Sequence, residues 1–136
     1  MAAQAGISHV AMSVPEGTLT DGFRAELIGF YRRLLGWEEI ESLRRPDRLT
    51  LSVGVPLNYV NVRERADVMV CTDYEHVGIL VGSAADFRRI WDELAALDAD
   101  VELEPFPDRA DGGGSFRFRH LLPMAIEVQF FPDAVT

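Results

Sequence analysis

Ile7-Ser8-His9-Val10-Ala11-Met12-Ser13-Val14 is almost restated by Tyr74-Glu75-His76-Val77-Gly78-Ile79-Leu80-Val81. Each stretch reads as a strand, and each carries a histidine at its third position followed by valine. The restatement reads as one structural unit used twice. Two histidines on equivalent strands can converge on one point between the halves. A third group, Glu127 on the last strand-like stretch, can join them.

The elements around the two stretches repeat in the same order. In the first half, 7–14 is followed by the break Pro15-Glu16-Gly17 and by a helical pattern from Asp21 to Leu35. Phe23, Leu27, Phe30, Leu34 and Leu35 mark its apolar positions, Asp21 is placed to cap its start, and Gly36 ends it. Strands are expected at Trp37–Leu43, Arg48–Val53 and Leu57–Arg63, with turns at Pro46-Asp47 and Gly54-Val55-Pro56. In the second half, Ser83 caps a helix from Ala84 to Leu97, and strands are expected at Val101–Glu104, Ser115–Leu121 and Ala125–Phe131. Both halves therefore read β-α-β-β-β. Gly112-Gly113-Gly114 reads as a flexible loop that could serve as a lid.

Alternation along strands sorts the side chains. Val10, Met12 and Val14 share one face, and His9, Ala11 and Ser13 the other. Val77, Ile79 and Val81 oppose His76, Gly78 and Leu80; Ile126, Val128 and Phe130 oppose Ala125, Glu127 and Gln129. The large apolar sets are expected against the helices, which leaves His9, His76 and Glu127 on the faces away from them.

The bulk composition narrows the function. At 136 residues, 48% apolar and 26% charged, the chain has the make-up of one globular domain. No apolar run approaches the roughly 20 residues that span a bilayer. The opening Met1-Ala2-Ala3-Gln4-Ala5-Gly6 has no basic region, and Cys71 is the single cysteine, so a cytoplasmic protein without disulfides is expected. A net charge of -9 argues against nucleic acid and against anionic membranes as partners. All 13 basic residues are arginine, which removes every lysine-based mechanism.

The doubled plan, with histidine opening each half and glutamate in the closing strand, resembles the vicinal oxygen chelate superfamily. That is the family of glyoxalase I, bleomycin-resistance proteins, extradiol dioxygenases and methylmalonyl-CoA epimerase. The stretches that carry the resemblance are Ile7–Val14, Phe30-Tyr31-Arg32-Arg33-Leu34-Leu35-Gly36-Trp37, Tyr74–Val81 and Ala125-Ile126-Glu127-Val128. The resemblance implies an α+β fold of two tandem βαβββ modules, 5–66 and 73–136, in one domain, 1–136. Its curved mixed sheets would form a cleft, with helices on the outer face. It also implies a divalent metal held by His9, His76 and Glu127, with Asn61 (or its neighbour Val60) at the fourth-strand ligand position. Glyoxalases and epimerases usually have Glu or Gln at that position, and Leu57-Asn58-Tyr59-Val60-Asn61-Val62 offers neither. Two imidazoles and one carboxylate resemble the extradiol dioxygenase set, which leaves metal positions open to a substrate with adjacent oxygens. The ion would be Fe, Mn, Ni, Co or Zn.

The function this implies is a metal-dependent enzyme on a small oxygenated substrate, with dioxygenase, isomerase or glyoxalase and lyase-like chemistry. The alternative is a bleomycin-resistance-like protein that binds a drug or metabolite without turnover. A homodimer is expected from the family. Around the metal, His120 and Tyr59 are the acid–base candidates, because imidazole is the side chain best matched to neutral pH. Arg63, Tyr74 and Arg119 are the substrate-binding candidates, together with Arg117, a guanidinium being suited to grip a carboxylate. For the arginines the plainer expectation is surface pairing with the 22 acidic residues. The apolar turn Leu121-Leu122-Pro123-Met124 could line a site, meet a second subunit or fill space.

Overall fold

The computed structural model describes residues 2–54, 58–97 and 100–134. It comprises two compact units, Met1–Met69 and Val70–Thr136. The first contains β1 (His9–Pro15), α1 (Asp21–Leu35), β2 (Glu38–Glu39), β3 (Arg48–Ser52) and β4 (Tyr59–Arg65). Its sheet runs β1-β4-β3-β2, with β1 parallel to β4 and the other neighbours antiparallel. The second contains β5 (His76–Leu80), α2 (Ala84–Ala95), β6 (Glu102–Leu103), β7 (Gly114–Arg119) and β8 (Ala125–Phe130). Its sheet runs β5-β8-β7-β6 with the same single parallel pair, β5 with β8. Each unit is thus βαβββ with a mixed sheet, as the repeat predicts. Among the described residues no helix is long and apolar enough to cross a membrane.

Local chemistry sets the element ends. Thr20, not Asp21, is the N-cap of α1: its hydroxyl accepts from the Phe23 N–H at 3.2 Å, while Asp21 sits in the first turn beside the helix's positive end. Gly36 ends that helix in the left-handed region at φ 70°. Ser83 caps α2 by accepting from the Asp86 N–H at 3.1 Å. The strand expected at Trp37–Leu43 shortens to Glu38–Glu39. Trp37 turns inward to stack on Tyr31 at 5.3 Å, and Glu41–Leu43 closes into a 3-10 turn. Leu57, Val55 and Pro56 lie outside the described residues.

Alternation places the cores. Met12, Val14, Leu49, Leu51, Val60 and Val62 are buried with Leu27, Phe30 and Leu34 of α1. In the second unit Phe87 of α2 packs against Phe116 of β7 and Phe130 of β8, at 5.1 and 6.2 Å between ring centres. Each such side chain, fully buried, contributes about 1.5–3 kcal/mol. β5 departs from the expected pattern: Val77 and Ile79 are only half-buried and Leu80 is exposed. The turn after β7 buries Leu122, so this part of it fills space, and it holds Leu121 at φ 64°, a region a branched residue enters only at some cost in strain.

Two of the three glycines of the triplet are packed into the fold. Gly113 and Gly114 are buried, and a Cβ on Gly113 would stand 2.7 Å from both the Phe130 carbonyl oxygen and Pro132 Cδ. Backbone, not a flexible side chain, meets it, so the chain can pass there only as glycine. Gly113→Ala is therefore expected to destabilise the protein by about 1–3 kcal/mol, seen as a lower denaturant midpoint at unchanged slope. An unchanged midpoint would mean the loop gives way freely, as a lid would.

Candidate metal centre

Parallel pairing of β5 with β8 sets His76 opposite Ala125 and Gly78 opposite Glu127, so His76 and Glu127 lie diagonally on one face. Their side chains meet: His76 Nε2 stands 2.8 Å from Glu127 Oε2, both about three-quarters buried. His76 Nδ1 lies 2.5 Å from the Tyr74 carbonyl oxygen. A carbonyl can only accept, so Nδ1 carries a proton; a carboxylate only accepts as well, so Nε2 meets Glu127 through a second proton, whose place a cation would take. Two ligands about 2.1 Å from one ion and at right angles stand about 3 Å apart. The observed pair therefore fits adjacent ligands of a metal in both atom type and separation.

The segment before β5 organises this face. Thr72 N–H and Tyr74 N–H are held by the Glu75 carboxylate and the Thr72 hydroxyl, at 2.9 and 3.2 Å. The Thr72 hydroxyl also donates to Glu75, and that bond holds the Glu75 carboxyl below its ordinary value. Three successive carbonyls then point onto the sheet. Thr72 O accepts from Arg119 Nη2 at 3.3 Å, Asp73 O from Arg117 Nη1 at 3.1 Å, and Tyr74 O from His76.

The arginines of the face are held by acids as well. Glu104 takes Arg117 through both oxygens, at 3.1 Å from Nε and 3.3 Å from Nη2, and also accepts the Arg117 backbone N–H at 2.6 Å. Glu102 forms an ion pair with Arg119 at 3.1 Å from Nε, though Nε itself makes no hydrogen bond, and Arg119 Nη1 donates to the Pro123 carbonyl at 3.2 Å. Together with Asp73, these residues line a cleft of about 240 Å³ in the second unit. Sequence reasoning did not single out Glu102, Glu104 and Asp73. The signal was present: Glu102 and Glu104 are two apart, as are Arg117 and Arg119, and the register pairs Glu102 with Arg119.

In the first unit His9 stacks flat on Tyr59, its neighbour across the parallel pair, with ring centres 4.6 Å apart. Its Nδ1 shares a hydrogen bond with Ser8 Oγ at 2.7 Å. Asn61 lies on the same face, next to Ala11 and Thr50, and Thr50 Oγ1 donates to its Oδ1 at 3.2 Å. Arg63 continues that face and pairs with Asp47 at 3.5 Å. In the second unit Tyr74 sets its ring edge-on to His76 at 5.9 Å and is largely exposed. His120 follows β7, with Nδ1 3.5 Å from the Asp100 carbonyl oxygen. Cys71 is a half-buried free thiol. Among the described residues, neither unit brings three or more His, Cys, Asp or Glu side chains together in an arrangement that could hold a metal. The second unit supplies the pair His76 and Glu127, and His9 belongs to the first.

No protein-family model matches the sequence, and no curated protein sequence matches it. Solved structures do match. The fosfomycin resistance protein FosX of Listeria monocytogenes aligns at a TM-score of 0.66 and 18% identity, over 98% of this chain and 100% of that one. FosX of Mesorhizobium loti aligns at 0.66 and 18%, over 95% and 94%. A possible glyoxalase from Bacillus cereus aligns at 0.65 and 17%, over 93% and 99%. The Listeria protein has been solved with Mn(II) and sulfate, and in a mutant form with Mn(II) and 1S,2S-dihydroxypropylphosphonic acid. The chain has the fold of these proteins.

Arg117 holds the Glu104 carboxyl below its ordinary value of 4.5. A carboxylate lowered on folding adds stability that is complete above its ordinary value and is lost as the pH falls through its lower folded value. The link between β6 and β7 is thus expected to weaken only in acid below pH 4.5. In Arg117→Met, NMR should show Glu104 titrating back in the ordinary range. An unmoved titration would mean that the ion pair is not made in solution.

Proposed function

We propose that the protein is a metal-dependent enzyme of the vicinal oxygen chelate type, acting on a small oxygenated molecule. The observation that carries this reading is the His76–Glu127 pair, with Nε2 and Oε2 2.8 Å apart and Nδ1 tied to the Tyr74 carbonyl. A carboxylate on a strand of Ile126, Val128 and Phe130 is costly unless it is paired or bound to a cation. The Mn(II) in the FosX structures supports a divalent ion as the occupant.

His76 and Glu127 would hold the ion with His9 as third ligand, and Asn61, whose oxygen accepts from Thr50, would be the fourth. A bound divalent ion would supply Lewis acidity toward an oxygen of the substrate. The Tyr74 carbonyl keeps the proton on His76 Nδ1 and so directs Nε2 inward. Tyr74 and Tyr59 present rings beside the two histidines and could orient a substrate or donate a proton to it. Arg63 and Arg119 can bind an acidic substrate only by giving up Asp47 and Glu102. His120 is the remaining imidazole for proton transfer.

Metal analysis of the protein purified without an affinity tag is the test. One equivalent of Fe, Mn, Ni, Co or Zn is expected. His9→Ala, His76→Ala and Glu127→Ala should each lower affinity by more than the roughly 10–100-fold that changes around a ligand cost. A parent that holds no metal and takes up none would overturn the enzyme reading and favour a ligand-binding protein instead.

A further inference from the structure

One of the FosX structures holds a phosphonic acid, which raises the question of whether the polar face of this chain's second sheet could take an anion. The chain has no lysine, and among the described residues the fixed cations on the polar face of the second sheet are Arg117 and Arg119. Both already stand against carboxylates. Glu104 grips Arg117 side-on with two oxygens, and Glu102 pairs with Arg119. Asp73 adds a carboxylate 3.7 Å from Arg119 Nη2. The carbonyls of Thr72, Asp73 and Pro123 take further donors of the same two guanidiniums. With Glu127, four carboxylates face two guanidiniums on one side of one sheet.

We infer that this face excludes phosphonates and other dianions, and admits a neutral or cationic oxygen-bearing ligand. A dianion would have to displace carboxylates that the fold holds in place beside the arginines, and would leave them unpaired next to its own charge. A neutral molecule with adjacent oxygens meets neither penalty. Selectivity would thus be set by Glu102 and Glu104, which touch no reacting atom and act through the arginines they mask. The inference builds on the proposed ligand site of this face, but the masking itself is a property of the metal-free protein.

The test is a phosphorus NMR titration of the metal-free protein with methylphosphonate, run on the parent, on Glu102→Gln/Glu104→Gln and on Asp73→Asn. The double variant is expected to bind at least about tenfold tighter than the parent. Asp73→Asn, altering a fully exposed side chain that the fold does not need, should gain in the same direction by a smaller factor. Manganese EPR on metal-loaded samples of the same proteins should show catechol, neutral at pH 7, perturbing the parent's signal where methylphosphonate does not. Tight methylphosphonate binding by the parent, or no gain in Asp73→Asn together with none in a folded double variant, would overturn the inference. A parent whose manganese keeps the spectrum of the free aqueous ion would count against the metal reading alone, since the phosphorus titration does not depend on it.

Discussion

Three consecutive carbonyls, those of Thr72, Asp73 and Tyr74, hold the chemistry of the second unit in place. They reach Arg119, Arg117 and His76 in turn, three side chains that come from β5 and β7 and share one face. The segment can do this because its own N–H groups are satisfied locally by Glu75 and Thr72, which leaves the carbonyls free to point at the sheet. Carbonyls accept and never donate, so the arrangement fixes the direction of each bond. For His76 the consequence is chemical as well as geometric: with Nδ1 spent on the carbonyl, Nε2 is the nitrogen that turns to Glu127.

Charge on that face is arranged as an alternation. His76 meets Glu127, Glu127 lies across from Arg117 in the β7–β8 register, and Arg117 is gripped by Glu104. Glu127 raises the Arg117 value and His76 helps to lower that of Glu104, so the four groups feel one another although only neighbours touch. Exposed ion pairs of this kind add little to stability, typically below about 1 kcal/mol each. Their weight here lies in orientation and in the sign of the field that an incoming ligand meets.

The fold was legible because the restated His-containing strands, the helix periodicities and the turn residues agreed with one another. The ends of α1 could be read to the residue, though not its cap, since Thr20 and Asp21 are both good capping types and only backbone geometry chooses between them. The site was legible as far as alternation reaches: the pairing of His76 with Glu127 follows from parallel strands that place both on the face away from α2. Contacts set by loops could not be read. Nothing in the sequence marks Gly113 and Gly114 as tightly packed. Nor does anything mark Arg24 as a buried strut whose guanidinium donates to the carbonyls of Leu19, Arg45, Pro46 and Arg48.

The two halves reach the same arrangement of histidine by different means, and this bears on what the arrangement is for. His76 has Nδ1 on a main-chain carbonyl and a tyrosine edge against its ring; His9 has Nδ1 on the Ser8 hydroxyl and a tyrosine face against its ring. In the tautomer where Ser8 accepts, both imidazoles donate from Nδ1, and in His76 it is Nε2 that meets Glu127. A core histidine needs only that its polar atoms be satisfied, by any partner in any order. Occupying the same nitrogen twice, by unrelated groups and on equivalent strands, leaves the same atom available each time. That constraint is the one a metal imposes on its imidazole ligands.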